Sequence, residues 1–185
     1  MSQVGDSALV TRLWSEIERN DVEAVQVSLA KLSQSSAWRV LAQSLPKELT
    51  VSPQIKSIFH TCWTERGHHV RQDIGDDRLL AEMLRTLLPR YRGPQLMLYR
   101  GESLERWRLN YVGLCWTTDV KIAQMFGRGL NAVKPHGGIL LASIVPENAI
   151  IAAPGQHSEW LGEAEYVVDP SRMTNIKEIT FYPAL

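Results

Sequence analysis

The sequence predicts an α+β fold, with helices in its first half and a sheet in its second. Before Gly93–Pro94, apolar residues recur with the three-and-four spacing of helices. After it they come in short runs bounded by turn residues, as strands do. Helices come first and strands later, without the alternation that parallel βαβ crossovers need. Residues 1–92 are therefore read as a helical N-terminal region and residues 93–185 as a compact β-core.

In the first half, Leu9, Val10, Leu13, Trp14 and Ile17 form one stripe. Val22, Val25, Leu29 and Leu32 form a second, starting beside Asn20–Asp21 as the cap. Ala37, Val40, Leu41 and Leu45 make a third, which ends before Pro46. The cleanest stripe is Ile55, Ile58, Phe59, Cys62 and Trp63, with Ser52 as N-cap and Pro53 in the first helical position. A fifth, Leu79 to Leu88, follows Asp76–Asp77 and stops at Pro89. In the second half, strands are predicted over residues 95–100, 114–118, 139–145, 149–152, 163–168 and 179–182. One helix starts at Asp119, carries Val120, Ala123 and Phe126, and ends at Gly127-Arg128-Gly129.

The composition is that of a folded domain: 185 residues, 44% hydrophobic and 22% charged. Lys plus Arg and Asp plus Glu number 20 each, so no overall field draws the chain to nucleic acid or anionic lipid. Two cysteines, Cys62 and Cys115, suit a reducing compartment and not a disulfide framework. Residues 1–10 lack the basic and apolar regions of a secretory signal. The most apolar stretch, Ile139 to Ala153, is broken by Pro146, Glu147 and Asn148 and is too short for a bilayer. The expectation is a cytoplasmic protein with no membrane association.

Three segments of the second half can carry chemistry. In Leu98-Tyr99-Arg100-Gly101-Glu102 an arginine ends a predicted strand and a glycine follows. A guanidinium fixed there can fork onto a pyrophosphate or a ribose hydroxyl, and the glycine allows close backbone approach. In Cys115-Trp116-Thr117-Thr118, a strand hydroxyl can hold the rotamer of a carboxylate. In Glu163-Ala164-Glu165, alternation along a strand puts both carboxylates on one face, roughly 7 Å apart. A carboxylate pair suits an anomeric carbon, where cationic character develops in the transition state. Each segment alone also has a plain structural reading: a strand exit, β-propensity, or a solvated acidic edge. His60, Cys62, His68 and His69 lack any recognised zinc spacing. Gly127-Arg128-Gly129 lacks the strand–turn–helix context of a dinucleotide fingerprint.

In this order the three segments resemble the mono-ADP-ribosyltransferases of the arginine–serine–glutamate class, which include bacterial toxins and phage proteins. The resemblance covers roughly residues 95–183. It implies two packed, mainly antiparallel β-sheets behind the N-terminal helical region. It further implies NAD as substrate, no metal, and transfer of ADP-ribose to a macromolecular acceptor with release of nicotinamide. Arg100, with Gly101, Thr117 and Thr118, would bind NAD. Glu165 would engage the nicotinamide ribose, Glu163 would position or deprotonate the acceptor, and Thr117 would support the catalytic group. Trp160 would touch the acceptor. The Ala123-x-x-Phe126 spacing places the family's Ser-Thr-Ser strand on Cys115–Thr117, whereas hydroxyl chemistry favours Trp116–Thr118; both registers stay open, and both contain Thr117. Glu163 tilts the acceptor toward protein arginine, with nucleic acid as the other option. An antitoxin or immunity protein is expected by analogy. The rival readings are an NAD glycohydrolase, a catalytically inactive binding module, and a glycoside hydrolase, whose acids usually come from separate segments.

Overall fold

The computed structural model describes residues 3–185; the first two positions of the expected helical region lie outside the described residues. Contacts divide the chain into two compact units, Met1–Arg90 and Tyr91–Leu185.

The first unit is helical throughout its described elements: α1 (Gln3–Glu18), α2 (Val22–Leu32), α3 (Trp38–Gln43), α4 (Pro53–Ile74) and α5 (Asp77–Leu87). The capping residues sit where backbone N–H groups would otherwise lack acceptors. Asp21 accepts from Ala24 N, Ser52 from Ile55 N, and Asp76 from Arg78 N and Leu79 N. Helix α4 runs eleven residues beyond the apolar stripe that predicts it, because its buried face resumes at Val70, Arg71 and Ile74. It stops at Gly75, whose left-handed φ of 63° ends the helix while its N–H bonds Arg71 O. Leu13, Ile17, Leu32, Leu41, Ile55, Ile74 and Leu80 are among the side chains that fill this unit's core.

The second unit contains all six strands: β1 (Leu96–Ser103), β2 (Cys115–Thr117), β3 (Gly138–Val145), β4 (Ile150–Ala152), β5 (Glu165–Val168) and β6 (Lys177–Tyr182). Three short or medium helices connect them: α6 (Leu104–Arg108), α7 (Val120–Arg128) and α8 (Gln156–Trp160). The α+β class is as expected, but the described strands form one six-stranded sheet in the order β4-β5-β2-β1-β3-β6, and not two separate sheets. Every pairing is antiparallel. The sheet is continuous because β1 uses both edges. It pairs with β3 over eight residues, and with β2 at one position, Tyr99 opposite Thr117. Two three-stranded halves thus meet through a single registered pair.

One face of the sheet carries the apolar core, with Leu98, Trp116, Ile139, Leu141, Val145 and Val168 at its centre. Trp116 is buried whole, and its indole N–H donates to Gly113 O at 3.1 Å. Strand alternation turns Gly101 away from Leu98, and there β1 meets α7 backbone to backbone. A Cβ on Gly101 would lie 2.2 Å from both Ala123 O and Gly127 N. The close approach that this glycine permits is therefore to the helix. Gly101→Ala is expected to force α7 off the strand and cost about 3 kcal/mol, as overpacking against rigid backbone does. Thermal unfolding measures it, and an unchanged midpoint would mean that α7 can move aside freely.

Candidate active site

Arg100 is the centre of the arrangement, and it does not end its strand as expected: β1 continues through Glu102 to Ser103, paired with β3 throughout. Its side chain is only 15% exposed, so its charge needs a partner inside the protein. Glu102, two residues on and completely buried, supplies it: Arg100 Nε donates to Glu102 Oε2 at 2.8 Å. The same oxygen accepts from Gly113 N at 2.8 Å, and Oε1 accepts from Ser103 N at 3.0 Å. Arg106 Nε stands 3.6 Å from Oε1 as a second cation. Burial alone would push Glu102 up, but the Arg100 and Arg106 charges and the Gly113 N–H together hold it below the usual carboxylate range. Burial likewise opposes the Arg100 charge, but Glu102, Cys115 and Glu165 together more than offset that, so the guanidinium is held above its ordinary value.

The second nitrogen of the guanidinium crosses to the next strand. Arg100 Nη1 donates to Cys115 O at 2.5 Å. The chain entering β2 passes directly over the other side: a Cβ at Gly113 would fall 2.0 Å from Arg100 Nη2, so only glycine fits there while the guanidinium keeps its place. Two of the five guanidinium N–H groups are thus used within the protein.

Glu165 opens β5 and is registered opposite Thr117, which is itself opposite Tyr99 on β1. The Cys115 thiol lies within electrostatic reach of the Glu165 carboxylate. Burial pushes the thiol well above its ordinary value, and the Glu165 charge adds to this while Arg100 pulls the other way; Glu163 contributes a further upward push. Arg100 also feels the Glu165 charge. Three strands therefore bring Arg100, Cys115, Thr117 and Glu165 to one place.

The remaining predicted residues divide. Thr117 is buried, and its Oγ1 accepts from Asp119 N at 3.2 Å in the turn into α7. Thr118 lies beyond β2 and is exposed. Of the two registers, the strand spans Cys115–Thr117, and Trp116 is committed to the core. Gly101 lies under α7. Trp160, at the end of α8, is 78% exposed and stacks on His157 with ring centroids 5.8 Å apart. Glu163 needs correction: the strand begins at Glu165 and not at residue 163. Ala164 has a left-handed φ of 44° and Gly162 one of 74°, so alternation does not relate the two carboxylates. Glu163 belongs to the turn that leads into the strand.

Three residues that hold this place together were not singled out by sequence reasoning: Glu102, Gly113 and Ser158. The i, i+2 spacing of Arg100 and Glu102 on one strand face was the available signal for the first. Gly113 and Ser158 act through tertiary contacts and leave no local pattern. Among the described residues, no group of three His, Cys, Asp or Glu side chains could hold a metal ion. None of their helices is long and apolar enough to cross a membrane. Compared with known proteins, the chain matches no family model, no curated protein and no solved structure.

Glu102 gives a pH-dependence with a definite sign. Its folded-state pKa lies below the unfolded value of about 4.3, so its contribution is fully present at neutral pH. That contribution disappears as pH falls through and below the unfolded value. Glu102→Gln is expected to cost about 3 kcal/mol at pH 7, because it leaves Arg100 buried without its counter-charge. The variant should also lose stability less steeply than wild type on acidification below about pH 4. Denaturant unfolding at pH 7 and pH 3 measures both, and parallel acid limbs would rule out the ion pair as the cause.

Proposed function

We propose that the chain is a mono-ADP-ribosyltransferase that uses NAD and releases nicotinamide. One observation carries the reading: an arginine bonded to the neighbouring strand and a glutamate on the strand beyond it lie within electrostatic reach of each other at the thin join between the two halves of the sheet. Two three-stranded halves that meet at one residue pair are compatible with the two-sheet architecture expected for such an enzyme.

The chemistry follows from the charges. Arg100 keeps three guanidinium N–H groups beyond its two internal bonds, enough to fork onto a phosphate or ribose oxygen of NAD. Glu165 accepts a hydrogen bond from the nicotinamide ribose and places negative charge near its anomeric carbon. The bond from that carbon to the nicotinamide nitrogen breaks, and its electron pair leaves with nicotinamide. The ribose then carries the oxocarbenium charge that Glu165 stabilises. An acceptor nitrogen forms the new bond to the anomeric carbon and gives up its proton to the Glu163 carboxylate, which passes it to solvent. Glu163, half-buried in the turn before β5, pairs with an incoming guanidinium and orients it. Trp160 and His157 offer a flat exposed surface to the acceptor. The acceptor is a macromolecule, with protein arginine ahead of nucleic acid. A toxin or effector role, with a neutralising protein that restrains it in its own cytoplasm, belongs to the same proposal.

The deciding experiment incubates the protein with adenylate-labelled NAD, alone and with cell lysate. Wild type should transfer label to protein or nucleic acid, and Glu165→Ala should lower transfer by about 100-fold or more, as loss of a transition-state charge does. Free ADP-ribose without labelled macromolecules would assign the glycohydrolase activity instead. No turnover of NAD by folded wild type would favour a binding module. Glu163→Gln should abolish most transfer to agmatine, a small guanidinium acceptor, while cleavage of NAD continues. Full retention of that transfer would contradict the role given to Glu163.

A further inference from the structure

Between α8 and β5 the chain closes a loop, and a single residue closes it. Ser158 is entirely buried. Its carbonyl accepts from Glu163 N at 3.0 Å, and its hydroxyl accepts from Glu165 N at 2.7 Å. Both glutamates are therefore anchored to one residue by adjacent bonds. The peptide between them is under strain: Ala164 is left-handed at φ 44°. The other described non-glycine residues with positive φ are Asn20, Asn110 and Asn175, which tolerate that region well; alanine has no such excuse. Left to strand alternation, Glu163 and Glu165 would take a fixed spacing along one face. The left-handed residue removes that relation, so the placement of one glutamate relative to the other is set by the closed loop and its two bonds to Ser158.

We propose that Ser158 is a positioning residue that sets the placement of Glu163 relative to Glu165. It thereby sets the proportion of ADP-ribose delivered to a guanidinium acceptor rather than to water. The inference rests on the transferase reading above. Both outcomes require cleavage of NAD supported by Glu165; only transfer needs Glu163 to hold the acceptor at the same carbon. Small displacements of a positioned group cost large factors in rate, so a looser loop lowers transfer more than hydrolysis.

The test measures a ratio, adenosine diphosphoribosyl-agmatine formed per free ADP-ribose formed, at fixed NAD and agmatine. A loss of folded protein lowers both products equally and leaves this ratio unchanged. Ser158→Ala removes the hydroxyl bond to Glu165 N, and Ser158→Thr keeps it. Ala164→Gly leaves Ser158 intact and frees the strained peptide between the glutamates. The expected result is a ratio lowered at least about fivefold in Ser158→Ala and in Ala164→Gly, with recovery toward wild type in Ser158→Thr. A ratio within about twofold of wild type in both Ser158→Ala and Ala164→Gly, with NAD still cleaved, overturns the role of Ser158 and leaves the transferase reading standing. Wild type that cleaves no NAD, or that cleaves it without modifying agmatine, overturns the inference through the reading on which it rests.

Discussion

A guanidinium buried beside a sheet must be neutralised from within, and much of the second unit's design follows from that requirement. Arg100 is largely withdrawn from water, so it needs a carboxylate that is equally withdrawn; Glu102 is completely buried. Glu102 in turn has more acceptor capacity than one guanidinium uses, and it is filled by the N–H groups of Ser103 and Gly113. The Gly113 bond draws the chain before β2 across the face of the guanidinium, where a side chain would collide with Nη2. The bond to Cys115 O then ties β1 to β2 at the point where the sheet has only one registered residue pair. A thin junction between two half-sheets is thus strengthened by charge-assisted hydrogen bonds rather than by more ladder. Such a junction joins β1 to β2 through the Arg100 side chain.

Much of the architecture was legible because it rests on local physics. Stripes such as Ile55, Phe59 and Trp63, and caps such as Ser52 and Asp76, act over four residues and appear directly in the sequence. The six strand runs were visible for the same reason, bounded by glycine, proline and turn residues. Where the reading failed, the determinant was not local. Helix α4 continues through the polar stretch after Trp63 because tertiary burial resumes at Val70, not because the intervening residues are apolar. Helices α6 and α8 span five residues each, too few for a periodic signal. The single sheet, in place of two, depends on β1 pairing on both edges, which no strand's own sequence encodes.

The candidate site divides along the same line. Arg100, Thr117 and Glu165 were recognisable by residue type and order, and the structure brings them together. The geometry of Glu163 was not, because strand alternation was extended one turn too far. A Glu-x-Glu sequence looks like a strand start until the residue between has a left-handed backbone, and alanine carries no sign of that. Glu102 was in view as part of the first segment, but an acidic residue after a strand arginine reads as surface until its burial is known.

Cys115 completes the electrostatic argument. The thiol stands between opposite demands, with Arg100 on one side and the carboxylates of Glu165 and Glu163 on the other. As a thiolate it would satisfy the guanidinium but place a third negative charge beside the two glutamates. Burial and those carboxylates keep it protonated, far above its ordinary value. Held neutral, it adds no third negative charge beside Glu165 and leaves Arg100 paired with Glu102. The backbone of Glu165 is anchored elsewhere, by its N–H bond to the buried Ser158 hydroxyl. The neutral thiol on β2 and the loop closure before β5 thus act on one carboxylate in different ways, the first through charge and the second through the backbone that carries it.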